Sequence, residues 1–152
     1  MQVSMREIAE FIAVLACALF SGAAVYISFV EHPARMECGT EIATAEFRPS
    51  YRRATIMQAT LAALGLLSSV AAWLKGAPMW WLAGGLLLGG VIPFTLIAIL
   101  PTNKQLMNAR LSLESTQATT LLTRWAKLHA VRSVLSTLAL LLFVYLLVCA
   151  KS

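Results

Sequence analysis

Four stretches of this 152-residue chain, 11–30, 55–74, 79–100 and 133–150, contain no charged residue. They run 20, 20, 22 and 18 residues, and every Glu, Lys and Arg lies outside them. About 20 uncharged apolar residues is the length at which a helix crosses the hydrocarbon core of a bilayer. Four such spans predict an all-α, integral membrane four-helix bundle. It is expected to form a single domain over 1–152, with spans at about 8–32, 49–74, 79–100 and 121–150. Composition excludes the soluble alternative. Hydrophobic residues reach 59% and charged residues only 12%, against roughly 25% charged in ordinary soluble domains. A soluble domain this small leaves too much of its surface in water to hide that much apolar area.

Proline and glycine set the expected boundaries. Pro33 is expected to stop the first span at His32, because the residue before proline is biased away from the helical region. Pro49 suits the first turn of a second helix, which leaves the polar stretch 31–53 as a loop. The run Lys75-Gly76-Ala77-Pro78 reads as the only tight connection and joins spans two and three as a hairpin. Trp80 and Trp81 are expected at the water–lipid interface, where amphipathic rings are favoured. Gly85 and Gly89, four apart in an apolar helix, form a close-packing motif. Pro93 is expected to kink the third span and Pro101 to end it, with Ser112 or Ser115 capping the fourth helix. No small-residue cleavage site follows a short apolar core near the start, so the first span reads as retained.

Charge gives an orientation and argues against nucleic acid. The net charge of +5 comes from basic residues that flank spans rather than from a basic domain, which fits anionic lipid head groups. Arg6, Lys75 and Lys151 fall on one side of a four-span chain and the other nine basic residues on the other. The positive-inside rule therefore puts the two long loops, 31–54 and 101–127, on the cytoplasmic side of the cell's inner membrane. The three cysteines, Cys17, Cys38 and Cys149, have no CxxC or metal-type spacing.

Polar residues inside the spans are the candidate site. Ser21, Ser28 and His32 are seven and four apart, hence on one helix face, whereas Tyr26 points away from it. Tyr51, Thr55 and Gln58 open the second span, and Thr95, Thr102 and Asn103 close the third. Trp125, His129, Arg132 and Ser136 share a face of the fourth. Ser21 apart, these groups sit toward the face bearing the long loops, which predicts a polar-lined cavity there; interhelical hydrogen-bond glue is the plainer alternative. Two His and a carboxylate (His32, His129 and Glu31, Glu37 or Glu41) match the ligand types of a non-haem iron site but lack its tight spacing, so no metal ligand is assigned. Either imidazole, which exchanges protons near neutral pH, suits a general base. Arg132, at the start of an apolar span, must snorkel, pair with a carboxylate such as Glu31, or face a polar ligand.

Four motifs complete the reading. Glu31-His32-Pro33-Ala34-Arg35, Pro49-Ser50-Tyr51-Arg52-Arg53-Ala54, Pro101-Thr102-Asn103 and Arg124-Trp125-x-x-Leu128-His129-x-x-Arg132 occur in this order. In them the chain resembles the anthrone-oxygenase-like family of small four-span membrane proteins, in particular its bacterial branch. The resemblance implies oxidation of a hydrophobic, anthrone-like aromatic by dioxygen without an organic cofactor. His129 is the expected base with His32 a second candidate, Arg132 the stabiliser of the anion, and Tyr51 and Trp125 the stacking surfaces. Ser28, Gln58 and Asn103 complete the expected lining. Two other classes stay open. One is an accessory or structural subunit docking on a partner membrane protein through Gly85 and Gly89. The other is a small carrier, although the chain lacks the inverted repeat typical of transporters.

Overall fold

Four helical rods, α1 (Met5–Glu37), α2 (Thr40–Leu74), α3 (Met79–Leu106) and α4 (Thr116–Cys149), make up the computed structural model, which describes residues 3–149. Each rod is long and apolar enough to cross a bilayer, and the described residues contain no strand. The chain is a multi-pass membrane protein with the all-α architecture that its uncharged windows predict. α1 and α3 each pack along both α2 and α4, while the diagonal pairs touch least, so the rods form an up-down-up-down bundle. Ala150, the expected end of the fourth span, and Lys151, one of the three basic residues on the sparser side, lie outside the described residues.

Local chemistry explains the helix ends. Ser4 opens α1 with a capping box: Glu7 N donates to its Oγ at 3.2 Å, and its own N donates to Glu7 Oε2 at 2.7 Å. Ser115, not Ser112, caps α4, accepting from Ala118 N at 3.1 Å. The α2–α3 hairpin turns at Gly76, whose φ of +91° only glycine adopts readily. The N–H groups of Gly76 and Ala77 reach back to Trp73 O and Ala72 O at 2.9 and 3.0 Å.

The proline boundaries require correction. The first helix does not stop at His32 but runs through Pro33 to Glu37, and α3 runs through Pro101 to Leu106. A π-helical turn lies just ahead of each proline, at Ile27–Glu31 and Thr95–Ile99. There His32 N–H bonds Ile27 O and Leu100 N–H bonds Thr95 O, five residues back rather than four. The widened turn makes room for a ring that otherwise strikes the carbonyl four residues before it. The second helix starts at Thr40, and Pro49 lies inside it. Burial of Ala43, Thr44 and Phe47 holds the turns before Pro49 despite its missing hydrogen bond. The stretch 31–53 is therefore helical, and it reverses at Gly39, with φ of +93°, a second tight connection. α3 is interrupted at Gly90, three residues before Pro93, where irregularity was expected.

Packing divides the interior into two clusters. One, toward the Gly76 turn, is built on Phe20, Trp81, Leu88 and Phe143; the other, toward the polar end, on Phe47, Ile99, Leu122 and Trp125. Trp81 is only 1% exposed and stacks on Phe143 with centroids 5.2 Å apart. Trp80 instead is exposed, as a ring meeting the interface must be, because neighbouring residues on a helix point about 100° apart. A Cβ on Gly85 would lie 2.5 Å from Ser69 Cβ, and one on Gly89 would lie 2.7 Å from Leu66. The glycine pair is thus consumed by α2 of the same chain, and that face is not available to dock a partner protein. Phe11, Phe29, Ile97 and Leu141, each more than half exposed, point outward, as a surface meeting lipid tails requires.

Candidate functional site

The serine face of α1 meets the fourth helix through a seam of hydroxyls. Ser21 Oγ lies 3.1 Å from Thr137 Oγ1. Two turns along, Ser28 Oγ lies 3.1 Å from His129 Nδ1 and 2.8 Å from Ser133 Oγ, and Ser133 Oγ donates to Ala24 O at 2.9 Å. His129 is 1% exposed, so its ring orientation is set by these contacts and by its neighbours. Tyr26 points away from the seam and is exposed.

Aromatic rings pack beside the imidazole. Trp125 stacks on His129 at 4.7 Å and tilts against His32 at 5.3 Å. Phe47 meets Trp125 edge-on at 5.2 Å and stacks on Tyr51 at 5.7 Å. Tyr51, Thr55, Gln58, Trp125, His129 and Arg132 line one small cavity of about 30 Å³, room for roughly one or two waters. Trp125 and His129 also border an apolar cavity of about 190 Å³ that adjoins Ser28, His32 and Ser133. Ile27, Glu31, Ser50 and Ala54 are shared between the small cavity and an open groove of about 500 Å³ between α1 and α2. Gln58 and Arg132 are shared with a fourth cavity, of about 100 Å³, lined by Phe20, Ala62, Val91 and Leu96.

The cation at the centre meets no carboxylate among the described residues. Arg132 donates through Nη2 to Gln58 Oε1, and its guanidinium carbon lies 5.5 Å above the Phe20 ring. Arg132 Nε and Gln58 Nε2 are buried without a hydrogen-bond partner. Because Gln58 accepts through its oxygen, its amide N–H groups must face elsewhere. Of the three alternatives for Arg132, pairing with Glu31 does not occur. Glu31 is engaged by Arg35 on the next turn and by Ser50 Oγ at 3.0 Å. Arg35, only 6% exposed, also places Nε 2.9 Å from Glu46 Oε2, an ion-pair approach outside hydrogen-bond alignment.

The expected residues do not all converge. His32, Tyr51, Gln58, Trp125, His129 and Arg132 surround these neighbouring cavities, with Ser28 behind the imidazole. Asn103 lies apart: it is buried on α3, lines none of these cavities, and leaves Oδ1 and Nδ2 without partners, as Thr102 leaves Oγ1. The π turn at Thr95–Ile99 precedes it, so helical spacing counted along α3 does not carry through to Asn103. No three His, Cys, Asp or Glu side chains gather as a metal set among the described residues. Arg35, Glu46, Phe47 and Ser50 belong to the site region and were not singled out from sequence. For Arg35 a signal exists, since Glu31 precedes it by the four residues of a helical ion pair. It was hidden by reading 31–53 as a loop.

The sequence profile of the anthrone oxygenase family matches residues 47–142. This range contains the motifs that begin at Pro49, Pro101 and Arg124, and excludes the one that begins at Glu31. No curated protein and no solved structure matches the chain.

Proposed function

The chain belongs to the anthrone oxygenase family, and from that membership we propose that it is a membrane-embedded oxygenase acting on a hydrophobic, anthrone-like aromatic ketone. The observation that carries the proposal is a buried imidazole beside a half-buried guanidinium, its Nε buried and unpartnered, that meets no carboxylate among the described residues. A cation partly withdrawn from water without a counter-ion favours an anionic partner, and an anthrone becomes an anion when it loses a proton. The reacting edge is taken to enter the inner cavity from the groove between α1 and α2. His129 removes a proton from the methylene carbon. The negative charge moves onto the ketone oxygen, where Arg132 and the free Gln58 N–H groups hold it. The aromatic rings of Tyr51 and Trp125 stack on the substrate, with His32 and Ser28 beyond them.

Oxygen chemistry then follows from the anion. It gives one electron to dioxygen, and the radical pair combines to form a carbon–oxygen bond. The resulting peroxide anion takes the proton back from His129 and becomes a hydroperoxide. Loss of the second methylene proton, with cleavage of the O–O bond, leaves a quinone carbonyl and releases water. One oxygen atom ends in each product, and the four electrons that reduce dioxygen come from the substrate carbon. The apolar cavity of about 100 Å³ beside Arg132 and Phe20 is a suitable reservoir for dioxygen.

The same proposal puts the protein in the cell's inner membrane with its polar end in the cytoplasm, on the basic-residue asymmetry. The test is oxygen uptake in matched detergent with a panel of anthrones and hydroquinones. Wild type is expected to consume oxygen, and His129→Ala to lower the rate about 10²- to 10⁴-fold, the usual range for a lost general base. Arg132→Met is expected to fall comparably. A wild-type protein inert toward every member of the panel overturns the oxygenase reading. Full activity in both variants moves the site elsewhere.

A further inference from the structure

Three hydroxyl and imidazole protons have to be distributed between α1 and α4, and their count decides the state of His129. A serine has one O–H to give. Ser133 Oγ gives its proton to Ala24 O at 2.9 Å, so at its 2.8 Å contact with Ser28 it can only accept. Ser28 then spends its single proton on Ser133, so at 3.1 Å from His129 it also can only accept. The ring nitrogen facing it, Nδ1, must therefore carry the proton. The reverse distribution, with Ser133 donating to Ser28 and Ser28 to Nδ1, makes one hydrogen bond fewer. It also leaves Nε2–H with no hydrogen bond to any described residue.

We infer that Ser28 and Ser133 form a tautomer lock that keeps the proton of His129 on Nδ1 and leaves Nε2 as a bare lone pair. Ala24 O anchors the relay at the α1 backbone, and Ser133 and His129 are both buried. The two serines are positioning residues, since they act through the imidazole. As an account of catalysis the lock rests on the proposed role of His129 as base; as a statement about the ring it does not. An imidazole in the wrong tautomer has its basic nitrogen facing the wrong way, which costs about 10²- to 10⁴-fold in rate in comparable sites.

Two histidines in the chain make the test direct. Protein labelled with [¹⁵N]histidine is reconstituted in nanodiscs at about pH 8, where an ordinary imidazole is neutral. The His129 signals are identified by difference against His32→Gln. Wild type is expected to show protonated Nδ1 and unprotonated Nε2. In Ser133→Ala the Ser28 proton loses its acceptor and turns to Nδ1, so the ring proton moves to Nε2 and the pattern inverts. Ser28→Ala, with no partner on Nδ1, is expected to show a mixture. Oxygen uptake is expected to fall by about tenfold or more in Ser133→Ala, measured at a temperature where the variant remains fully folded. A wild-type ring protonated on Nε2, or a Ser133→Ala spectrum identical to wild type, overturns the lock. The expected spectra from a protein inert toward every anthrone leave the lock standing and overturn the oxygenase reading.

Discussion

Gly85→Ala adds one methyl group where the bundle has no space for it. That Cβ would sit 2.5 Å from Ser69 Cβ and 2.9 Å from Ser69 Oγ. Carbon atoms normally pack at roughly 3.5–4.0 Å, so α2 and α3 must separate by about 1 Å there. Ser69 cannot swing away cheaply, because its Oγ donates to Gly65 O at 2.7 Å in a fully buried position. Overpacking of this kind costs about 1–3 kcal/mol, or roughly 3–10 °C in melting temperature for a chain of this size. Gly22→Ala is the matched control, since nothing lies within 4 Å of a Cβ there. It keeps a helical backbone in α1 and gains helix propensity, so it is expected to be neutral or stabilising by up to about 1 kcal/mol. The assay is tryptophan fluorescence during thermal unfolding of both variants and wild type in one detergent. If Gly85→Ala melts no lower than Gly22→Ala, the close α2–α3 contact does not exist as described, and the glycine face is free to meet lipid or a partner.

Two more outcomes follow from the same coordinates. Gln58→Leu strips Arg132 of its only hydrogen-bond acceptor among the described residues and is expected to destabilise by about 1.5–3 kcal/mol, and Arg132→Met strands the Gln58 amide for about 1–3 kcal/mol. The double variant should recover about 0.5–3 kcal/mol relative to the sum, and simple additivity in detergent melts would show that the two side chains do not interact. For topology, Cys38 and Cys149 are exposed and Cys17 is buried. With Cys149→Ser, an impermeant thiol reagent is expected to label Cys38, and likewise Cys at Arg110→Cys, only after cells are permeabilised. Ready labelling of both from outside intact cells would invert the orientation.

The four spans were legible because hydropathy is a sum over one segment and needs no neighbour to be evaluated. The same holds for the Gly76 turn and the outward direction of Tyr26, each settled within a turn or two of its own helix, whereas the sequence left the cap of α4 between Ser112 and Ser115. Proline misled where it was read alone. Pro33 and Pro101 are strong local stop signals, yet a π turn ahead of each absorbs the steric conflict. Pro49 sits inside α2, where the burial of Phe47 and Ala43 outweighs the lost hydrogen bond. None of those remedies is written in the proline itself. The site divides in the same way. Spacing along α4 put Trp125, His129 and Arg132 on one face, and spacing along α2 did the same for Tyr51, Thr55 and Gln58. Only the bundle decided that Arg132 meets Gln58 while Glu31 is taken by Arg35 and Ser50, that His129 is held through Ser28, and that Asn103 is left aside. A helical face is a property of one segment's period, whereas the partner of a buried charge depends on which helix is packed opposite and in what register. The close approach at Gly85 and Gly89 fixes α2 against α3, and the Ser28–His129 and Gln58–Arg132 contacts join residues that lie far apart along the chain.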